Sequence, residues 1–521
     1  MTDLATLKLQ RRVQQVLAPW RGDGPGMTIG VVRGGVLAVH ESAGLAHVEL
    51  GVPIGAGTTF RIASVSKQFT CAAVLMMAAD GRLRVDADVR EYIPELADFG
   101  AVITVDHLMR NTSGLRDMLE IMRMGGIDLS FPVSPEDLMA GICRQRTLNF
   151  APGSRYLYSN TNFLLLGRIV ERVSGEKLRD VLAKRVFAPV GMNMTRMVES
   201  TTELVPGLAA GYLPEGAGIK RAQHGFPLHG EGALVSSVLD LALWARSYDG
   251  GLAGSLALQE QAAFTGGGLG GYARGLAVAS VRGVRTVGHG GLWPGYRTEF
   301  LMIPELEAAV IVIANSGTAN PYQAGQAVLA GLLEEVPSAH PVRAMPDLAG
   351  YAGRFVDDAA PASVDISVAD GVLTAMTNGQ PFGVLAEADG RLAASRSARD
   401  WVMRLEGDVL EVELDAGVRA TYRRVAGGAA LPEGLAGTYV SDEMDATWIV
   451  GARDVAVRGP VGRGGPWGLE GIDGDVFRIW TPGALFKGWL DARVVRDAGG
   501  AVTGLYVNGG RVKRLVLRRV G

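Results

Sequence analysis

The sequence predicts a multi-domain protein: an α+β domain followed by two small antiparallel β domains. Three observations predict it. The 521 residues exceed what a single core can organise. In the first 335 residues, β-like runs stand at both ends with helix-like runs between them. That is the pattern of an α+β domain whose terminal segments meet in one sheet. Beyond a stretch holding Pro337, Pro341 and Pro346, the texture changes to short β-like runs separated by Gly or Asp turns, which favours barrels or sandwiches.

In order, residues 1–20 read as an amphipathic helix with Leu4, Leu7, Val13, Val16 and Leu17 on one side. Two β-like runs, 27–32 and 36–41, are joined by Arg33-Gly34-Gly35, a hairpin signal. The apolar run 69–79 reads as a buried helix. Residues 106–110 and 135–144 read as helices, and Asn111-Thr112-Ser113-Gly114 as a turn. Phe150-Ala151-Pro152-Gly153 is a loop that opens into 156–160. Helices are expected over 162–173, 176–187 and 236–248, the last with Ser237 or Asp240 to cap it. Residues 285–312 run like sheet strands interrupted by His289-Gly290-Gly291 and Trp293-Pro294-Gly295, and 321–335 closes the domain as a helix. The expected divisions are a first domain over 1–335, a linker over 336–347, and β domains over 348–425 and 435–521. The two β domains open alike, Leu348-Ala349-Gly350 before Tyr351 and Leu435-Ala436-Gly437 before Tyr439, a weak repeat of one kind of domain.

Composition narrows the function. Net charge is −3 with both signs mixed, so neither nucleic acid nor an anionic membrane is an expected partner. No apolar run reaches the length of a membrane span, and residues 1–20 lack a secretory signal, so a cytoplasmic protein is expected. Cys71 and Cys143 read as buried thiols, too few for a disulfide framework or a zinc site. No metal or organic cofactor is expected. Of 51 basic residues only seven are Lys. A buried Lys can lose its proton and Arg cannot, so a Lys beside a nucleophile carries weight.

That Lys is Lys67. Ser64 and Lys67 stand three apart at the head of the apolar run, on one face of a helix start, where the dipole favours developing negative charge. A serine needs an adjacent base to attack a carbonyl. The spacing recurs at Ser174/Lys177, in a polar joint that reads as a helix cap with a solvated Lys. Tyr-x-Asn occurs at Tyr158/Asn160, and again at Tyr506/Asn508 before Gly509-Gly510, which reads as a hairpin turn. His289 precedes Gly290 and Gly291, where a backbone can approach a ligand.

The order and spacing of Ser64-x-x-Lys67, Tyr158-x-Asn160 and His289-Gly290-Gly291 resemble the serine β-lactamase and penicillin-binding-protein superfamily, in its class C β-lactamase-like branch. Further words match: His107 to Leu115, Pro152-Gly153, Gly232 to Ser237, and Pro294-Gly295-Tyr296. A fuller resemblance, through Gly114-Leu115-Arg116-Asp117 and Ser441-Asp442-Glu443-Met444-Asp445, is to the D-stereospecific aminopeptidases of that superfamily. It implies a β-lactamase/transpeptidase-like catalytic domain and two eight-stranded lipocalin-like barrels. It also implies an acyl-enzyme on Ser64, with Lys67 and Tyr158 handling protons. His289 would bond Tyr158 or the substrate, and Asn160 would position Lys67 or the substrate amide. The N–H groups of Ser64 and Leu292, beside Gly290 and Gly291, would form the oxyanion hole.

The implied activity is release of N-terminal D-amino acids from small D-peptides or D-amino acid amides. A carboxylesterase, a weak β-lactamase and a non-hydrolytic scaffold are the alternatives, and the intact four-residue set argues against the last. The substrate is then a small molecule or short peptide, and a homodimer is possible through the barrels. One departure is that the loop by which those aminopeptidases restrict their site corresponds here to a shorter stretch, about 479–489. The segment after His289 looks more like the esterase and β-lactamase-like members.

Overall fold

The computed structural model describes residues 4–249, 255–281, 283–334, 348–369, 372–386, 392–394, 402–414, 418–460, 462–481 and 488–520. The linker expected over 336–347 lies outside the described residues. The first domain is built on a six-stranded antiparallel sheet in which Met27–Arg33 lies between Val36–Ala43 and Ala308–Ala314. The beginning and end of the domain therefore meet in one sheet, as the sequence predicts. Tyr296–Ile303, Val284–Trp293 and Ala277–Val281 continue it outward from Ala308–Ala314.

Ala308–Ala314 is buried at every residue. A strand covered on both faces reads as an unbroken apolar run and not as an alternation. On one face lie the helices Leu4–Leu17 and Pro321–Leu332, whose Leu9, Val13 and Val328 join Val310 and Val312 in one core. On the other lies the helix Val238–Arg246, capped by Ser237, whose side chain accepts from the Asp240 N–H. Gly30 makes room for it: a Cβ there would stand 2.3 Å from Val238 Cγ1. Behind that helix, Lys67–Ala79 is buried from Lys67 to Met77, since a helix apolar on all sides belongs inside.

Three expectations are corrected. His289-Gly290-Gly291 does not interrupt a strand; Val284–Trp293 runs through it, and only Pro294-Gly295 makes the turn. The glycines answer close backbone approach: a Cβ at Gly291 would stand 2.2 Å from the Ile62 carbonyl oxygen. Ser64 is not in the helix itself but on a 3₁₀ turn, Ala63–Ser66, and the helix begins at Lys67. The helix expected over 176–187 stops at Leu182 and widens into a π turn, Ala183–Phe187.

Two closed eight-stranded antiparallel barrels follow. In the first, Gly353–Asp357 pairs back to Val418–Val425; in the second, Gly437–Ser441 pairs back to Leu515–Arg519. Alternate residues fill the interiors, as in Asp454–Arg458, where Val455 and Val457 are buried. A buried ionic cluster ties the barrels together. Arg478 donates to both Asp365 oxygens at 2.7 and 2.8 Å and to Ser363 Oγ, and it stacks on Trp489 at 3.9 Å. Asp491 accepts from the Ser363 N–H at 3.2 Å.

The second barrel also holds the first domain. A helix that the sequence reading passed over, Met118–Met124, places Ile121 and Met124 in the barrel core, and Trp448 Nε1 donates to the Met124 carbonyl at 2.9 Å. Arg116 pairs with Glu443 at 3.0 Å. Among the described residues no helix is long and apolar enough to cross a membrane.

Candidate active site

The segment that carries Ser64 is fixed from both sides. Phe60–Arg61 pairs with Leu234–Ser236, and the Ile62 N–H donates to the Leu234 carbonyl at 3.1 Å. Ala63 takes φ 47°, a left-handed conformation that residues with a Cβ rarely adopt. The chain thus turns sharply just before Ser64. Lys67 Nζ donates to Ser64 Oγ at 3.1 Å, Asn160 Oδ1 at 2.9 Å and the Glu231 carbonyl at 2.6 Å. Tyr158 OH donates to the same Ser64 Oγ at 2.7 Å.

The turn at Asn111 carries Tyr158. Its carbonyl accepts the Leu157 N–H at 3.0 Å, and its Oδ1 accepts the Ser159 N–H at 3.0 Å and Asn162 Nδ2 at 2.9 Å. Asn111 has φ 56°, which an Asn tolerates better than most residues. Asp117 fixes Asn160: one carboxylate oxygen accepts both its N–H at 2.6 Å and its Nδ2 at 2.8 Å. The other oxygen caps the helix Met118–Met124 at the Glu120 N–H. The amide of Asn160 is thereby turned so that Oδ1 faces Lys67, giving a chain of hydrogen bonds from Asp117 to Ser64.

His289 stands beside this chain. Its Nδ1 contacts the Gly290 carbonyl at 2.6 Å, so Nδ1 carries the proton and Nε2 accepts from Tyr272 OH at 2.9 Å. The ring lies 5.9 Å from that of Tyr158. The Nε2 partner of His289 is therefore Tyr272 and not Tyr158, one of the two partners the resemblance implied.

Burial sets the charges. Lys67 is brought down to about 7, by burial first and by Arg511, with Glu231, Asp117 and Cys71 opposing the fall. Burial raises Tyr158 well above the usual phenol range, with Arg511 and the Ser64 hydrogen bond opposing. It takes His289 down to about 3, so the ring is neutral. Burial also raises Glu231, whose Oε2 is enclosed with no hydrogen-bond partner.

Ser64, Tyr158 and Asn160 open on a cavity of about 200 Å³. Leu119, Leu228, Leu292 and Trp293 give it apolar walls, and Trp489 and Arg511 of the second barrel close it. Leu292 lies beyond Gly288, where pairing with Ala277–Val281 ends, so this strand edge is open toward the serine. Of the stretch 479–489, residues 482–487 lie outside the described residues; Trp489 reaches the cavity and Thr481 accepts from Arg123. The other Ser-x-x-Lys is a helix joint: Ser174 Oγ accepts the Glu176 N–H, and the Lys177 side chain is 68% exposed. Three residues at the site went unread in the sequence, Glu231, Tyr272 and Arg511, and Asp117 was read only within the word Gly114-Leu115-Arg116-Asp117, with no role given to it. Arg511 follows the Gly509-Gly510 turn, but like Glu231 and Tyr272 it acts through contacts distant in sequence.

A family model described as Beta-lactamase matches residues 9–335. A D-aminopeptidase of Cereibacter sphaeroides is 28% identical, over 95% of this chain and 96% of its own. A D-aminopeptidase of Brucella anthropi is 27% identical over the whole of both chains. The octameric penicillin-binding protein homologue from Pyrococcus abyssi aligns with a TM-score of 0.57 at 24% identity, over 80% of this chain and 99% of that one.

Proposed function

The chain belongs to the Beta-lactamase family and is a serine hydrolase, and from that premise we propose that it works through an acyl-enzyme on Ser64. Its proposed substrates are small D-amino acid amides or D-peptides carrying a free amino end. The observation that carries the chemistry is the convergence of Lys67 Nζ and Tyr158 OH on one serine oxygen, at 3.1 and 2.7 Å. The substrate class rests on the D-aminopeptidases that match along nearly the full chain, barrels included.

Lys67, whose ammonium burial disfavours, takes the Ser64 proton as Oγ attacks the carbonyl carbon. The N–H groups of Ser64 and Leu292 receive the oxyanion, each worth roughly 3 kcal/mol. Tyr158 gives its proton to the leaving nitrogen and recovers one from the Lys67 ammonium. Water then attacks the acyl-serine with the same groups in reverse. Asn160 holds Lys67 in place, and neutral His289 packs against the Tyr158 ring.

The test compares wild type with Ser64→Ala on D- and L-alanine p-nitroanilide, a short-chain p-nitrophenyl ester and a chromogenic cephalosporin. Turnover of the D-anilide by wild type, lost in Ser64→Ala, is expected, with a covalent adduct on Ser64 by mass spectrometry. No turnover and no adduct refutes the hydrolase. Ester turnover without D-anilide turnover replaces the D-amidase with a carboxylesterase, a reading the apolar cavity walls favour.

A further inference from the structure

The hairpin between the last two strands of the second barrel, Val502–Asn508 and Leu515–Arg519, ends in the catalytic site. Its backbone is held there by the first domain. Glu120 accepts the N–H groups of Gly510, at 2.9 Å, and Arg511. Asn149 donates Nδ2 to the Arg511 carbonyl at 3.2 Å and accepts the Lys513 N–H at 2.7 Å. Arg116 donates to the Lys513 carbonyl at 3.1 Å. Gly509 fits so closely that a Cβ would stand 2.2 Å from Glu120 Oε1. These contacts aim one side chain. The Arg511 guanidinium lies 4.5 Å over the Tyr158 ring and 3.8 Å from Asp117, with 34% of the side chain open. Lys67 Nζ stands 4.9 Å from the centre of the same ring.

We propose that Arg511 is a positioning residue of the catalytic site, a second cation that the barrel sets against Tyr158, so that Ser64 is fully reactive only while the barrel hairpin is docked. The inference rests on the acyl-enzyme reading given above.

A cation on a tyrosine face is attracted to the ring and favours the phenolate over the phenol. When Tyr158 hands its proton to the leaving nitrogen, the charge left on the phenol develops on a ring that the Lys67 ammonium and the Arg511 guanidinium both face, at 4.9 and 4.5 Å from its centre. Arg511 also disfavours a second positive charge nearby, which keeps Lys67 available to take the Ser64 proton. The neighbours do not supply this. His289 is neutral, and Tyr156 and Tyr272 bring phenols to the Tyr158 side. Glu231, Asp117 and Cys71 all favour the ammonium of Lys67. Arg123, also on the cavity wall, is paired with Glu120. Arg511 is thus the charge that opposes Glu231 and Asp117 at the catalytic pair.

The test is the rate at which a fluorophosphonate labels Ser64 as a function of pH, in the full chain, for wild type, Arg511→Gln and Arg511→Lys. The probe needs no knowledge of the substrate. Wild type is expected to show an acid limb near the Lys67 value of about 7. In Arg511→Gln the limb should move up by about one pH unit, a roughly tenfold slower labelling on the limb, with the rate largely recovered above it. Arg511→Lys should return most of the shift. Equal slowing of Arg511→Gln at every pH, or no change, overturns the inference, as does a limb in Arg511→Lys displaced as far as in Arg511→Gln. Wild type that is never labelled overturns the acyl-enzyme reading with it; wild type labelled on a limb that Arg511→Gln leaves in place overturns the role of Arg511 alone. Should Arg511→Gln lose the fold by circular dichroism, Asn149→Ala, which loosens the hairpin without removing the charge, must move the limb in the same direction or the inference fails.

Discussion

Lys67 should titrate near neutrality, and Lys67→Met should remove that titration together with the reaction. The side chain is fully buried, and burial brings it from 10.5 to about 7. That fall corresponds to on the order of 5 kcal/mol against the ammonium. Because the folded value lies below the unfolded one, the unfolded chain holds a proton between about pH 7 and 10.5 that the folded chain does not. Stability from this group therefore rises across that window by roughly 1.4 kcal/mol per pH unit, is complete above it, and is lost as pH falls through 7. Methionine fills a similar volume without the charge. It forfeits hydrogen bonds to Ser64, Asn160 and Glu231, roughly 1 kcal/mol each. Lys67→Met should thus be roughly 2 kcal/mol more stable than wild type below pH 7 and roughly 2 kcal/mol less stable near pH 10. Loss of the base should lower kcat/KM by at least about 10³-fold. Because the chain has only seven lysines, ¹³Cε-lysine labelling gives few signals, and the one missing in Lys67→Met is assigned. Its titration, and urea midpoints at acid and alkaline pH, complete the test. A Lys67 signal titrating near 10, or a stability difference of one sign throughout, would refute this electrostatic account of the site.

Tyr272→Phe leaves His289 Nε2 without its donor at 2.9 Å, so turnover should fall roughly tenfold while the acid limb stays in place; kcat against pH checks both. At the barrel seam, burial pushes Asp491 from 3.8 up to about 6 despite Arg478. A folded value above the unfolded one means that its stabilising contribution is complete below 3.8 and lost as pH rises through 6, about 3 kcal/mol in all. Urea midpoints should show Asp491→Asn gaining on wild type between pH 4 and 7, and parallel curves would refute the shift.

Much of the site is legible in the sequence because it is written in short words. Ser64-x-x-Lys67 lies within one turn of backbone, Tyr158-x-Asn160 on one loop, and His289-Gly290-Gly291 on one strand, where local geometry limits what the side chains can reach. The helices and strands of the first domain are legible for the same reason, since their apolar periods are local. Glycine misleads where its cause is distant: Gly290 and Gly291 read as a break, yet they continue a strand that Ile62 approaches. The helix Met118–Met124 is too short to show a period, and its apolar side is covered by a barrel more than 300 residues later.

The sequence by itself determined that an α+β domain precedes two β domains and that Ser64 and Lys67 stand together at the head of a buried helix, which follow from residue type, spacing and periodicity along the chain. Only the tertiary structure decided that Asp117 orients Asn160, that His289 is neutral and bonded to Tyr272, and that Arg511 stands over Tyr158. The physical reason is that charge and hydrogen bonding act over a few ångströms of space, and in this chain those distances are spanned by residues up to about 450 positions apart.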